Sequence, residues 1–486
     1  APRSNPASPL LAQVSNLPYR RLPVGGPFPG SSAGGLEIRD TADSKSALRS
    51  VEGSELEAAL PRDDELLADP DDRAAAAEDA DPWAPQAQQR QRRRPAPEEE
   101  DRPLASPDAQ WTAFIKEHNV YVRSAADGKE YRLSQDGRTN LAYGRLEWAP
   151  DSQALVGWRL EPGDRKPVYL IRSSPPGGGR AVFETLPYEL PGDKLAAYEL
   201  SVFDVAGQKQ IKPPVDRLDL GRPRLHWNRD RRHFTYEKVD RGHQRFRIIE
   251  VDAHTGESRN ILDEKSETFI NTSYGSLERR YLEKTDEIVY TSERDGWKHL
   301  YLIDLKEGRM KNQITRGEWV VRGVDRVDEE QRQVWFQASG LHPTQDPYLV
   351  HFCRINFDGT GLVVLTEGNG NHTVQYSPDR KHLIDTYSRA DLPPVHKLRR
   401  ASDGQRICDL ETADVSESGW VPPEVFVAKG RDGKTDIWGL IFRPPHLDRN
   451  KKYAVIEDIY AGPHSAFVPK AFSAGRRYES LTSLGF

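Results

Sequence analysis

The residues of this chain best suited to chemistry are a tyrosine that ends an apolar run and a serine between two glycines. Tyr460 follows the run Tyr453–Ile459 and precedes Ala461, Gly462 and Pro463. A phenol held at a strand end can donate a hydrogen bond to the oxyanion that forms when a carbonyl carbon is attacked. A lone tyrosine at a strand end is more often a packing residue, so the residues alone leave both roles open.

Ser32 is the second candidate, because Gly30–Gly34 formally matches the G-x-S-x-G pattern of a nucleophile on a strand-to-helix turn. The preceding stretch, Pro23–Gly30, is rich in proline and glycine, so we do not expect it to form the buried strand that this turn requires. We therefore predict coil at Ser32. The catalytic serine, aspartate and histidine of such a site are then expected to be absent from this chain.

Metal and cofactor chemistry are not indicated by the sequence. The 13 histidines show no H-E-x-x-H or paired-ligand spacing, and His243, His299 and His464 are isolated, with His464 a candidate to line a pocket beside Tyr460. Cys353 and Cys408 are the only cysteines and lack metal-ligand spacing. Two small buried thiols are the favoured interpretation, and a disulfide between them stays open. We expect neither a metal nor a cofactor.

Composition divides the chain into a polar tail and a globular remainder. Of 486 residues only 36% are hydrophobic and the mean hydropathy is −0.75, with the deficit concentrated in the first part of the chain. Proline- and glycine-rich stretches there adjoin charged blocks such as Arg90–Arg94, which cannot bury enough apolar surface to fold. We predict that residues 1–105 form a disordered low-complexity tail.

Charge and hydropathy also bear on partners. The net charge of −6 provides no basic field for nucleic acid, so none is expected to bind. No apolar run is long enough to predict a membrane span. The compartment stays undetermined, and a soluble protein in the periplasm or outside the cell is one alternative.

Short β-rich runs that end in aspartate turns recur from residue 109 onward. Four turn aspartates are separated by 48, 52 and 54 residues: Asp204, Asp252, Asp304 and Asp358. A second landmark places an aromatic residue three positions before an aspartate, at Trp148, Trp227 and Tyr376. A repeat of about 50 residues with four short strands is typical of a β-propeller blade. We predict a mainly β chain with a propeller of about seven or eight blades over residues 106–418, six of them traceable. A β-sandwich is the alternative fold.

The pattern changes again near residue 419. Glu424–Ala428, Asp436–Phe442 and Tyr453–Ile459 predict three strands, and Phe467–Leu484 predicts the start of a helix. Strands that go on to alternate with helices indicate an α/β sheet. We predict that residues 419–486 are the N-terminal part of an α/β domain.

These segments together resemble the prolyl oligopeptidase clan of serine peptidases, most closely its dipeptidyl peptidase IV branch. Four segments carry the likeness: Pro191–Val205, Ser292–Asp304 (SERDGWKHLYLID), Gln313–Val324 and Lys451–Pro463 (KKYAVIEDIYAGP). The likeness implies a propeller that covers an α/β-hydrolase domain and serine-type hydrolysis of short peptides from their N-termini. It also implies that residues 419–486 are an incomplete hydrolase domain, so we expect this chain alone to be inactive.

The resemblance also assigns roles to individual positions. The tyrosine of the family's Tyr-Ala-Gly-Pro loop stabilises the oxyanion, which implies this role for Tyr460. The family's glutamate pair, which holds the substrate's amino terminus, would match about Gly137 and Arg138, so strict release of dipeptides is in question. Substrate-binding residues are therefore not assigned. Three glutamates elsewhere are candidates to replace the pair: Glu199, Glu237 and Glu318.

Three interpretations of function stay open at this point. The chain is the propeller-bearing part of a serine peptidase, a non-catalytic propeller that binds peptides as a scaffold or pseudo-enzyme, or one half of a split enzyme. The expected partner is a peptide substrate, and a homodimer or a complementing hydrolase chain is a further alternative.

Overall fold

The structure is a computed structural model that describes residues 102–272, 277–416, 419–460, 466–473 and 478–486. Residues 1–101 of the predicted tail, including Ser32, lie outside the described residues, as do residues 461–465, including His464.

Six four-stranded antiparallel sheets follow one another along the chain, and we number them blades 1 to 6. Blade 1 contains β1 (Leu104–Ala105), β2 (Trp111–Lys116), β3 (Asn119–Ser124) and β4 (Glu130–Arg132). Blade 2 contains β5 (Ala142–Trp148), β6 (Ala154–Glu161), β9 (Ala197–Asp204) and β10 (Lys209–Ile211). Blade 3 contains β11 (Leu225–Trp227), β12 (His233–Val239), β13 (Arg245–Asp252) and β14 (Ser258–Lys265).

The second half of the series repeats this arrangement. Blade 4 contains β15 (Arg279–Leu282), β16 (Glu287–Ser292), β17 (His299–Asp304) and β18 (Arg309–Gln313). Blade 5 contains β19 (Val320–Asp328), β20 (Gln333–Ser339), β21 (Val350–Asn356) and β22 (Val363–Val364). Blade 6 contains β23 (Asn371–Tyr376), β24 (His382–Arg389), β25 (Leu392–Arg400) and β26 (Arg406–Thr412). These are the six repeats traced in the sequence; the described residues contain no seventh or eighth four-stranded sheet.

The aspartates that mark the repeat close the turn between the third and fourth strands of their blades. The Asp204 carboxylate accepts a hydrogen bond from the Gly207 amide at 2.9 Å, and the Asp304 carboxylate accepts one from the Glu307 amide at 3.0 Å. An aspartate side chain that accepts from a backbone amide two or three residues later stabilises a tight turn. The repeat of about 50 residues in the sequence therefore reflects one such turn in each blade.

The core of the molecule lies between the blades. Leu155 packs against blade 1 and the next residue, Val156, packs against blade 3. In the same way Trp335 faces blade 6 while its neighbour Phe336 faces blade 4. Because successive residues of a strand point to opposite faces, each of these blades buries both faces against its neighbours. This arrangement is that of a β-propeller and not of a sandwich, in which one face of each sheet meets solvent.

Two hairpins stand outside the blades. β7 (Pro167–Arg172) and β8 (Val182–Pro187) form a two-stranded sheet inserted between β6 and β9 of blade 2. β27 (Glu424–Lys429) and β28 (Asp436–Ile441) form the second, which confirms the first two strands predicted after residue 419.

Three expectations about individual segments are wrong. Tyr453–Ile459 forms no strand, because no described segment pairs with it, and Val455 remains 89% exposed. Among the described residues, the helix predicted from Phe467 is present only as α1 (Glu479–Ser483), and residues 466–473 are irregular. Cys408 is exposed and not buried, and neither it nor the buried Cys353 forms a disulfide. Among the described residues, no helix has the length and apolar character that crossing a membrane requires.

Candidate active site

Tyr460 lies at the end of the irregular segment that was predicted to be a strand. Its side chain is 62% exposed, and its ring centroid is 5.8 Å from that of Phe467. Upstream, Asp458 accepts a hydrogen bond from the Tyr478 hydroxyl at 3.0 Å. The phenol of Tyr460 is thus accessible, which a donor to an external oxyanion requires.

Residues 466–473 lie against blades 5 and 6. Lys470 forms an ion pair with Asp346, and the backbone amide of Phe472 donates to the Ser388 hydroxyl of β24 at 3.0 Å. The Phe472 ring also meets the Trp420 ring edge to face, with centroids 5.1 Å apart. The structure therefore ties the surroundings of Tyr460 to the propeller through side chains far apart in sequence.

The structure does not bring the three candidate glutamates together. Glu199 is on β9 in blade 2, Glu237 is on β12 in blade 3, and Glu318 is exposed between β18 and β19. Each has a different environment, since Glu237 pairs with Arg279 and Glu199 pairs with Arg159.

Asp136 supplies a second carboxylate beside Glu199. Arg159 on β6 contacts both: Nη1 is 2.9 Å from Asp136 Oδ2, and Nε is 3.1 Å from Glu199 Oε2. Lys212 Nζ also lies 2.6 Å from Asp136 Oδ2. Burial acts to raise the pKa of Asp136, but the hydrogen bonds from Lys212 and Tyr143 outweigh it and lower that pKa. The carboxylates of Asp136 and Glu199 thus share the Arg159 guanidinium, and Asp136 immediately precedes Gly137, one of the positions that the resemblance implies for an amine site.

Hydrogen bonds hold this pair in place. The Tyr143 hydroxyl donates to Asp136 Oδ1 at 2.9 Å, and Gln210 Nε2 donates to that hydroxyl at 2.7 Å. Burial raises the pKa of Tyr143 to about 12, so its hydroxyl stays protonated. Apart from the aspartate before Gly137, nothing in the sequence indicated this arrangement, because Asp136, Arg159 and Glu199 lie on separate segments.

Glu147 is a further carboxylate that sequence reasoning missed. Its Oε1 accepts a hydrogen bond from the Trp227 indole at 2.7 Å, and burial raises its pKa above the ordinary value. It lies next to a bulge in β5 where Arg145 has a φ of 50°. Glu147 directly precedes the Trp148 landmark, and that position was the available signal. No group of three His, Cys, Asp or Glu side chains among the described residues is arranged to hold a metal ion.

Comparison with known proteins agrees with this architecture. Residues 84–394 match the family model described as the dipeptidyl peptidase IV (DPP IV) N-terminal region. A probable dipeptidyl-aminopeptidase B from Aspergillus fumigatus is 23% identical over 430 residues, covering 79% of this chain and 46% of the fungal protein. Dipeptidyl-aminopeptidase B from Aspergillus niger is 23% identical over 432 residues, covering 78% and 46%. The chain spans about half the length of the curated relatives it matches.

Solved structures show the same fold. A crystal structure of Porphyromonas gingivalis dipeptidyl peptidase 4 aligns with a TM-score of 0.55 at 21% identity, covering 79% of this chain and 56% of that one. A putative dipeptidyl aminopeptidase IV from Bacteroides ovatus aligns with a TM-score of 0.53 at 19% identity, covering 79% and 57%. Since the family match extends over well more than half of the chain, the chain belongs to the dipeptidyl peptidase IV N-terminal region family.

Proposed function

We propose that this chain is the propeller-bearing part of a serine-type peptidase that hydrolyses short peptides. The observation that carries the proposal is the family match over residues 84–394, which includes nearly all six blades. The packing of residues 466–473 on blades 5 and 6 supports it, because Phe467 of this stretch lies beside the candidate oxyanion donor Tyr460. The serine, aspartate and histidine that complete the reaction are proposed to lie outside this chain.

Hydrolysis of dipeptide anilides tests this function. The full-length natural protein is compared with the 486-residue chain, using substrates with free and with acetylated amino termini. Activity in the full-length protein alone supports the proposal, and activity in the short chain contradicts the expected absence of the triad. If neither protein hydrolyses the anilides but both bind the same peptides, the non-catalytic propeller is favoured. Activity that returns only when a separate hydrolase chain is added would favour the split enzyme.

We further propose that Asp136 and Glu199 hold the free amino terminus of the substrate. Two carboxylates suit an ammonium group, and their side chains are 28% and 32% exposed. Arg159 and Lys212 already neutralise them, so a substrate must displace Lys212, whose side chain is 57% exposed.

Variants of this cluster test the amine site in the full-length protein. Asp136→Asn and Glu199→Gln should each raise KM on the order of ten-fold for substrates with free amino termini and leave acetylated substrates unaffected. Lys212→Met removes the competing ammonium and should lower KM for the free substrates. Equal effects on both substrate types would refute the assignment.

A homodimer is the proposed assembly. The β7–β8 hairpin exposes apolar side chains on both faces, with Ile171 at 72% and Phe183 at 64% on one face and Leu170 at 47% on the other. Both of its edges are unpaired among the described residues. Arg172 and Glu184 pair within the hairpin at 2.7 Å, so it carries little net charge that would repel a second copy. A periplasmic or secreted location is part of the same proposal, and fractionation of cells tests it.

A further inference from the structure

The Lys470 ammonium group occupies an enclosed position in the segment that follows Tyr460. Its Nζ lies 2.6 Å from Asp346 Oδ2, and both side chains are only 13% exposed. The same nitrogen lies 5.0 Å from the ring centroid of Tyr348 and 5.9 Å from that of Trp438. A cation between a carboxylate and two aromatic faces has its charge compensated from several sides, as a largely buried ammonium requires.

The propeller holds Asp346 ready for this contact. Its Oδ1 accepts the backbone amide of Tyr348 at 2.9 Å, which leaves Oδ2 to face Lys470, and its carbonyl accepts the amide of Leu349 at 3.1 Å. The preceding residue, Gln345, contacts Nε2 of the buried His351 on β21 at 3.0 Å. These hydrogen bonds hold the loop between β20 and β21 without involving Lys470.

Three parts of the chain meet at Lys470. Asp346 and Tyr348 belong to blade 5, Trp438 belongs to β28 of the hairpin after the last blade, and Lys470 lies ten residues after Tyr460. Phe472 extends the contact to blade 6 through its amide bond to Ser388. Tyr460 itself is exposed and lies on a stretch without strand pairing, so the position of its phenol depends on anchors at the ends of that stretch.

We propose that Asp346 and Lys470 are positioning residues that hold residues 466–473, whose Phe467 ring lies beside the Tyr460 ring, against blade 5 so that the phenol stands where the oxyanion forms. This proposal rests on the proposed peptidase function. Neither residue touches the substrate; the pair acts through Tyr460. A displacement of about 1 Å at a catalytic group can cost on the order of 100-fold in rate. Loss of the Asp346–Lys470 ion pair, ten residues after Tyr460, should therefore lower the catalytic rate.

The structural half of the proposal is tested in the 486-residue chain without any activity. Hydrogen exchange of the Phe472 amide reports the anchor directly, because that amide bonds to Ser388. Lys470→Met and Asp346→Asn should raise its exchange rate at least ten-fold while the melting temperature of the propeller stays unchanged. Lys451→Met is the matched control, since Lys451 is an exposed lysine of the same region that lies 3.7 Å from Asp448. An unchanged Phe472 exchange rate in both test variants would overturn the proposal.

The catalytic half is tested in the full-length natural protein with a dipeptide anilide. Lys470→Met should lower kcat by about 10- to 100-fold with KM nearly unchanged, and Lys470→Arg should restore part of the loss. In a Tyr460→Phe background, Lys470→Met should cost little more, because both act on one group. If the losses of kcat from Lys470→Met and Tyr460→Phe are additive, or if Lys470→Met loses no kcat, the positioning role of Lys470 is refuted. The oxyanion role of Tyr460 is not affected by these two outcomes. A Tyr460→Phe variant with full kcat would instead refute the oxyanion role on which the proposal rests.

Discussion

At Tyr460 the proposed chemistry depends on one phenolic hydrogen. The ring is exposed and contacts Phe467, so removing the hydroxyl leaves that packing intact. Tyr460→Phe in the full-length protein should therefore lower kcat about 100-fold or more with little change in KM, because the lost donor acts mainly on the transition state. Steady-state hydrolysis of a dipeptide anilide measures this, with Tyr188→Phe, an exposed tyrosine near the blade 2 hairpin, as the control. An equal loss in both variants would contradict the assignment.

Glu287 makes stability depend on pH at the level of a single side chain. It is 3% exposed on β16, and Lys311 Nζ and Arg332 Nη2 lie 2.8 and 3.1 Å from its Oε1. Burial acts to raise its pKa, but the hydrogen bonds from Arg332 and Lys311 outweigh burial and lower the pKa from 4.5 to about 2. A lowered carboxyl pKa gives stability that is present above the unfolded value and lost as pH falls through the folded value.

The free energy of unfolding should accordingly fall as the pH decreases from about 4.5 to about 2, by roughly 3 kcal/mol from this group. Denaturant unfolding at several pH values measures the decrease. Glu287→Gln should be less stable at neutral pH and should show a flatter dependence across that window. A slope identical to that of the parent chain would rule out Glu287 as its source.

Functional residues that are close together in sequence could be predicted, and pairs that are far apart in sequence could not. Tyr460 was identifiable because Tyr-Ala-Gly-Pro is contiguous, and the turn aspartates were identifiable because each bonds to a residue two or three positions away. The Asp136–Glu199 pair could not be identified from the sequence. Their shared partner Arg159 lies 23 residues from Asp136 and 40 residues from Glu199. Asp346 and Lys470 are 124 residues apart, and only the fold brings them into contact.

Among the secondary-structure elements, strands predicted from the local sequence pattern were correct where a neighbouring strand pairs with them. The repeats became blades because their strands pair in register, as β6 and β9 do from Ala154↔Asp204 to Glu161↔Ala197. Tyr453–Ile459 has the same apolar character, but no strand pairs with it among the described residues, and so it forms no strand. Pairing is a property of two segments, which is why one segment's composition could not decide it.

We expect the β7–β8 hairpin to be stabilised by contact with a second copy of the chain. An isolated two-stranded sheet is marginally stable in water, and burial of Ile171 and Phe183 against a second copy would compensate. Ile171→Asp should convert a dimer into a monomer, measured by sedimentation equilibrium at micromolar concentrations, with the unfolding midpoint of the monomer preserved. Ile407→Asp on β26, 51% exposed and remote in sequence, is the control and should leave the assembly unchanged. A parent chain that is monomeric at every concentration would exclude this interface.

At the scale of the whole molecule, the described chain joins a densely packed propeller to a stretch with exposed apolar side chains. In blades 4 and 5 the packing is continuous, with Leu302 and Phe336 in one buried cluster. After the last hairpin, Val455, Ile459 and Tyr460 are 89%, 72% and 62% exposed. Exposed apolar residues in a row are typical of a surface that a further part of a protein covers.

Substitution of Val455 should have different effects in the 486-residue chain and in the full-length natural protein. In the 486-residue chain Val455→Ser should change the free energy of unfolding by less than about 0.5 kcal/mol, because the side chain already meets solvent. In the full-length natural protein, where we predict that Tyr453–Ile459 becomes a buried strand, the same change should cost about 2 kcal/mol or more. Leu302→Ala, 1% exposed within blade 4, is the control and should cost about 2–5 kcal/mol in both proteins. Equal small effects of Val455→Ser in both would mean that this stretch is not a core strand, and the hydrolase interpretation of residues 419–486 would then lose its main structural support.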